Sequence, residues 1–211
     1  GAASGSAGPV GFQGGGGVFM RATYSGPDTG NRREAIPSDD ANLAPAVPSG
    51  NVGWKLRVYS IPRHGHWRGR VSNFAKTGHI KGSAVVKVIR FYSHSSLKHY
   101  VPGTPGSWYG WVFNGMVRIK RAGRYTFCTI SDDGSKIWVN KHYIVNNDGF
   151  HGNREGCGSI YLKKGNANVL LMGWQGEGGI GQELTYSGPD TGYQKRWPVS
   201  ESTATPSWVP P

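Results

Sequence analysis

Hydrophobic and polar positions alternate along the middle of this chain, and the alternation has a period of two. Trp54-Lys55-Leu56-Arg57-Val58 sets apolar residues against basic ones, the pattern of a half-buried strand. Residues 84–92 are rich in β-branched and aromatic side chains and predict one continuous strand. Segments 108–113 and 116–120 flank Asn114-Gly115, a dipeptide that predicts a two-residue hairpin. Gly123 turns into a strand over residues 125–130. Segments 136–139 and 142–145 predict a second hairpin, and 160–162 and 168–174 flank a turn at Lys164-Gly165. No stretch carries a helical period of useful length. The fold class expected is all-β: an antiparallel, jelly-roll-like β-sandwich with long irregular loops.

Composition agrees. The 211 residues include 34 Gly and 13 Pro, and 12% are aromatic. Glycine shows no period of three, which excludes collagen. Aromatic and β-branched residues are too frequent for a wholly disordered chain. The length suits one sandwich with long loops, or one domain plus tails.

The chain contains an internal repeat. Residues 23–30 read TYSGPDTG, and residues 185–192 read TYSGPDTG again. The offset, 185 − 23 = 162, continues upstream without a gap. Phe12-Gln13-Gly14 lies against Trp174-Gln175-Gly176, and Gly17-Val18 against Gly179-Ile180. Segment 12–30 therefore reads as the last strand of a preceding module, or as a strand duplicated within one domain. An added strand must pair with a sheet edge to satisfy its backbone, so self-assembly by strand addition is an expectation. The organisation expected is 1–52 as a linker holding the first copy, 53–192 as the sandwich, and 193–211 as an extended Pro/Ser/Thr-rich tail that invites O-glycosylation. Residue 1 is Gly and no signal peptide is visible, as in a mature product or a fragment. No apolar run approaches the ~20 residues that would cross a bilayer.

The net charge is +12, unevenly placed. Between Asp40 and Asp132 there is no Asp or Glu, while Lys and Arg recur from Lys55 to Arg124. Such a run draws polyanions. An acidic polysaccharide or an acidic neighbour is one reading, a solvated basic surface the other. No helix-turn-helix, zinc-finger or RNP pattern supports nucleic acid. His64-Gly65-His66 has no third ligand nearby in sequence and makes a poor metal site. Cys128 and Cys157 fit a disulfide or two buried thiols. A disulfide, with Cys157 in a loop, is the expectation, and with it an oxidising compartment.

Residues 123–192 carry a set of motifs: GRYTF (123–127), SDDGSKIWVN (131–140), VNNDGFHGNREGCGSIYL (145–162), KKG (163–165) and YSGPD (186–190). Together they resemble the protective-antigen-type domain, a β-sandwich found in a bacterial toxin, yeast flocculins, epithelial adhesins and surface proteins. In its sugar-binding members, two consecutive Asp residues joined by a cis peptide hold one calcium ion, which also binds vicinal sugar hydroxyls. The resemblance places those roles on Asp132 and Asp133, with Asn147 and Asp148 as further metal ligands. Asn146, His151 and Trp108 are the further ligand-binding candidates; His151 otherwise serves to fix its loop. Calcium takes 6–8 hard oxygen ligands, and sugar hydroxyls supply two of them. The alternative is a structural Asp-Asp-Gly-Ser turn whose carboxylates cap backbone N–H groups. Trp111, Trp138 and Trp174 alternate with apolar residues and read as core.

Catalysis is not expected. Adjacent carboxylates cannot straddle a glycosidic bond, and no G-x-S-x-G, HExxH or Cys-His arrangement is present. The function implied is an extracellular, calcium-dependent, glycan-binding module of a tandem-repeat surface protein. The alternative is a structural unit of a fibre or matrix in which the sugar site is inactive.

Overall fold

The computed structural model describes residues 10–12, 19–21, 23–24, 34–35, 52–61 and 78–202. It divides into two units, Gly1–Leu43 and Ala44–Pro211. The His64-Gly65-His66 motif lies outside the described residues.

In the first unit, β1 (Val10–Phe12) pairs antiparallel with β2 (Phe19–Arg21), and β3 (Thr23–Tyr24) with β4 (Glu34–Ala35). The first repeat copy thus forms two short hairpin-like pairs inside its own unit, where a single added strand was expected.

The second unit is a sandwich. Its strands are β5 (Trp54–Ser60), β6 (His79–Val86), β7 (Arg90–Phe91), β8 (Tyr109–Ile119), β9 (Gly123–Asp132), β10 (Ser135–Val139), β11 (His142–Asn147), β12 (Arg154–Leu162), β13 (Gly165–Gln175) and β14 (Gly181–Ser187). One sheet has the order β11-β10-β13-β8-β5-β6, the other β12-β9-β14-β7. Every pairing between them is antiparallel. The two inner faces meet over one apolar core that includes Trp54, Leu56, Trp111, Phe113, Tyr125, Phe127, Leu171 and Leu184. Trp111 and Trp174 are fully buried, and Trp138 packs partly buried against a smaller cluster with Trp174.

Four sequence expectations are corrected. The strand expected at 84–92 is two strands. Val86 pairs with Trp54 in the six-stranded sheet, whereas Arg90 and Phe91 pair with Glu183 and Gln182 in the other. The chain crosses between layers at residues 87–89, and both halves are β-rich because both reach the core. A helix, α1 (His94–Tyr100), follows. Ser93 caps it by accepting a hydrogen bond from the Ser96 N–H at 3.2 Å, a normal N-cap role. Only Leu97 of the helix is buried, so no periodic apolar face announced it.

Asn114-Gly115 is not a turn. Strand β8 runs straight through it, with Asn114 between Lys55 and Leu170 and almost fully buried. Gly115 serves close packing: a Cβ there would lie 2.4 Å from Ser200 Oγ and 2.7 Å from Trp54, a use of strand glycine that differs from turning. The reason is the fourth correction. The start of the supposed tail is packed on the sandwich, with Ser200 fully buried, Gly53 N donating to Ser200 O at 3.0 Å and Trp54 Nε1 to Pro198 O at 2.9 Å.

The hairpin at β10–β11 is as expected, with Asn140 and Lys141 both at positive φ (48° and 71°) in a two-residue turn. Asn140 also exchanges hydrogen bonds with the Asn168 backbone, each 2.8 Å.

Candidate functional site

Strand β9 ends at Asp132, and Gly134 lies between the two acidic residues and β10. The Asp132–Asp133 peptide is cis. Three other segments converge on this turn: the β11–β12 connection (148–153), the β13–β14 connection (176–180) and the residues before β8.

Asp133 ties two of them down. Its Oδ2 accepts the Gly176 N–H at 2.9 Å and its Oδ1 the His151 N–H at 3.2 Å. The residue is 7% exposed. Burial pushes its carboxyl above the usual range, while the two N–H bonds and His151 pull the other way. Asp132 is less buried and is also pushed up, by burial and then by the neighbouring Asp133, with His151 and His94 opposing. Two carboxylates side by side in a partly dry rim repel each other. Gly179 permits the approach of its loop, since a Cβ there would lie 3.1 Å from Asp132 Oδ2.

The Gly176–Gly179 loop is held from both sides. Trp108 donates its backbone N–H to Gly176 O at 2.9 Å and its indole N–H to Glu177 Oε1 at 3.0 Å. His94 of α1 places Nε2 3.0 Å from Gly178 O and Nδ1 2.7 Å from Tyr109 Oη. Phe150, largely exposed, stands edge-on to both Trp108 and Trp174, with ring centroids 6.3 and 4.7 Å away.

Under the turn the core becomes polar. Trp111 Nε1 donates to Gln182 Oε1 (2.8 Å), and Gln182 Nε2 to Thr129 Oγ1 (2.7 Å). Thr129, Ser135 and Ser131 are linked through their hydroxyls, and Asn147 Nδ2 donates to Ser131 Oγ at 3.0 Å. A satisfied buried network of this kind fixes its members rigidly.

The site residues expected from sequence separate into two groups. Asp132, Asp133, His151 and Trp108 meet at the rim. Asn147 and Asn146 have their side chains engaged elsewhere, while Asp148 stands against the turn, its Oδ1 2.7 Å from where a Gly134 Cβ would lie. The Asn147 carboxamide is buried, and its Oδ1 accepts from Arg154 Nε at 2.9 Å. Asp148 pairs with Lys136 at 3.0 Å and accepts from Gly149 N and Trp174 Nε1. Asn146 is exposed and accepts from Asp148 N at 3.3 Å. His151 spans its own loop, with Nε2 3.0 Å from Asn147 O and Nδ1 2.8 Å from Gly152 O.

Gln175 was not singled out from the sequence. It is fully buried at the end of β13, one residue before the N–H that Asp133 accepts, and both polar atoms of its carboxamide lack a protein partner. An orphaned buried amide costs about 1–3 kcal/mol unless something else satisfies it. The Asp132 and Asp133 carboxylates are hard oxygen donors of the type calcium takes. The residues present fit the ion. The signal available in the sequence was the repeat itself, which pairs Gln13-Gly14 with Gln175-Gly176.

Cys128 and Cys157 form a disulfide across a directly opposed pair in β9 and β12. Cys157 therefore sits in a strand and not in a loop. The cysteines and Glu155 cluster within ligand distance of one another, but oxidised sulfurs are not metal ligands. Among the described residues no helix is long and apolar enough to cross a membrane.

Comparisons with known proteins agree with this fold. The family model of the PA14 domain matches residues 62–196. Among solved structures, the PA14 sugar-binding domain from an RTX adhesin superposes with a TM-score of 0.57 at 17% identity, covering 72% of this chain and 100% of that one. The epithelial adhesin 9 A domain from Candida glabrata, in complex with Galβ1-4GlcNAc, gives 0.54 at 13% identity, covering 76% and 95%. An anti-sigma factor domain-containing protein gives 0.57 at 18% identity over 76% of this chain, which spans only 49% of that protein. No curated protein matches. With the family model covering well over half its length, the chain belongs to the PA14 domain family.

Proposed function

We propose that this domain binds carbohydrate at the rim formed by Asp132, Asp133 and the Gly176–Gly179 loop, through a calcium ion. One observation carries the reading: two adjacent carboxylates, both pushed up by burial, face the same glycine loop, Asp133 through the Gly176 N–H and Asp132 beside Gly179. A bound cation relieves the carboxylate repulsion. When present, calcium supplies open coordination positions for two vicinal hydroxyls.

The chain's own residues do the rest. Asp133 holds the two loops in register by accepting their N–H groups. Trp108 and His94 fix the glycine loop against the carboxylates. Phe150 and Trp108 offer apolar surface beside the site, the usual complement to a sugar ring. The sugar-binding RTX adhesin domain and the glycan-bound adhesin domain support a glycan as the ligand. The disulfide supports an extracellular or cell-surface location, and the octapeptide repeat supports membership of a tandem array. The basic stretch between Asp40 and Asp132 favours glycans that carry acid groups. This reading is of a binding module and not a catalyst.

Calorimetric titration of the full chain with calcium, then a glycan-array screen with calcium or chelator, tests it. Calcium uptake followed by chelator-sensitive glycan binding is the expected result. No calcium uptake and no glycan retained in either condition would remove the proposal and leave a structural module.

A further inference from the structure

The second octapeptide copy is a clip. Tyr186, next to last in β14, exchanges backbone hydrogen bonds with Arg196, at 2.8 and 2.9 Å. Between them, Pro189–Thr191 form a 3-10 turn. The Asp190 carboxylate accepts the N–H groups of Lys120 and Arg121, both at 2.8 Å, and so caps the β8–β9 turn. Tyr186 stacks on Tyr125 at 6.3 Å and 9°. A Cβ on Gly188 would lie 2.4 Å from the Tyr125 ring, so only glycine fits there. Thr191 Oγ1 closes the turn, accepting from Gly188 N at 3.0 Å. The tyrosine, glycine and aspartate each have a task that depends on the β8–β9 hairpin being present, and the threonine closes the clip itself.

The first copy has the same eight residues and the same closure. Its β3–β4 pair matches Tyr24 with Glu34. Adding the offset of 162 gives 24 + 162 = 186 and 34 + 162 = 196, the bridge of the second copy. Two segments that differ outside the octapeptide, Glu34 against Arg196 for example, thus close in one register. Upstream, Gly11, Gln13, Gly14, Gly16 and Gly17 repeat at 173, 175, 176, 178 and 179. There the copies part. Residues 172–174 and 181–183 belong to different sheets, while their counterparts Val10–Phe12 and Phe19–Arg21 pair with each other. Strand edges lacking the sheets that receive them elsewhere satisfy one another.

We propose that residues 10–35 are a second closing segment whose Tyr-Ser-Gly-Pro-Asp-Thr-Gly clip docks on the β8–β9 turn of another domain of this kind. The partner is a like sandwich presenting the counterparts of Lys120, Arg121, Gly123 and Tyr125 with that place open. Neighbouring modules would thereby be joined by the exchange of identical elements, a low-cost route to assembly. This does not rest on the sugar-binding reading, since the clip shares no residue with the rim.

The test uses the full chain with its own clip weakened by Asp190→Ala, and a synthetic peptide of residues 10–35. The peptide is expected to bind the variant chain and to raise its melting temperature. A peptide carrying Asp28→Ala is expected to bind at least about tenfold more weakly, and the wild-type chain, its place filled, to respond to neither. The pair Thr191→Val in the chain and Thr29→Val in the peptide repeats the test more gently should Asp190→Ala fail to fold by circular dichroism. In sedimentation, Asp190→Ala is expected to self-associate with concentration and Asp28→Ala/Asp190→Ala to remain monomeric. Equal binding of native and altered peptides, or of neither, overturns the proposal, as does equal association of the single and double variants.

Discussion

At the scale of single residues, Asp132 and Asp133 divide the work at the rim. Asp133 accepts two loop N–H groups and is needed for the shape of the site. Asp132 gives no such support in proportion to the repulsion it suffers. Asp132→Asn is therefore expected to abolish calcium uptake while raising the melting temperature of the calcium-free protein by about 2 °C, the scale of a small change in stability for a domain of this size. Scanning calorimetry with and without chelator reads both effects; a fall in the calcium-free melting temperature would contradict the repulsion argument. The pH dependence has a defined sign. A carboxyl raised in the folded state binds more protons there than in the unfolded chain. Without calcium, stability attributable to this pair falls as pH rises from the ordinary value of 3.8 through the raised folded value. Gln175→Leu fills the same volume with no orphan polar atoms. It is expected to keep or raise stability, read by urea denaturation, since an unsatisfied buried amide is removed.

At the scale of elements, β8 decides the architecture. It is the strand through which β5 and β13 are joined, and Asn114-Gly115 sits in its middle. A local turn signal lost to tertiary context there. Asn114 gains backbone partners on both sides, and Gly115 leaves room for Ser200 and Trp54. Gly115→Val is expected to cost about 1–3 kcal/mol, the usual cost of overpacking a filled core, measured by urea denaturation. A neutral result would mean that residues 198–201 do not pack on β8. The break between β6 and β7 has a similar origin. Residues 84–92 are uniformly β-forming, yet they serve two sheets, because the layer crossing at 87–89 is set by which strands stand ready to receive each half.

At the scale of the whole molecule, the disulfide pins β12, the edge of the four-stranded sheet, to β9. The connection carrying Phe150 and His151 leads directly into that edge. Replacing both cysteines by serine is expected to lower stability by about 2–4 kcal/mol and to weaken calcium and glycan binding through a looser rim. Unchanged affinity in the double serine variant would show that Asp133 alone suffices to hold the loop. The clip acts in the same way at the start of β9, through Asp190 on the β8–β9 turn, so this strand is held at its start by the clip and at its middle by the disulfide.

Period-two alternation, the turn at Asn140-Lys141 and the Asp-Asp-Gly-Ser turn were determined by the sequence alone because each is written in residues adjacent along the chain, and the cysteine pair and the octapeptide repeat because each needs only counting or matching of residues. What required the folded molecule were the relations between distant segments. Ser200 lies against Gly115, α1 steadies the glycine loop through His94, Arg154 takes the Asn147 oxygen, and Gln175 is left without a partner. Local order can be read from backbone preference and hydrophobic period. Which polar atoms meet across a sandwich is decided only when two sheets close on each other, since every hydrogen bond made there removes a partner from another candidate.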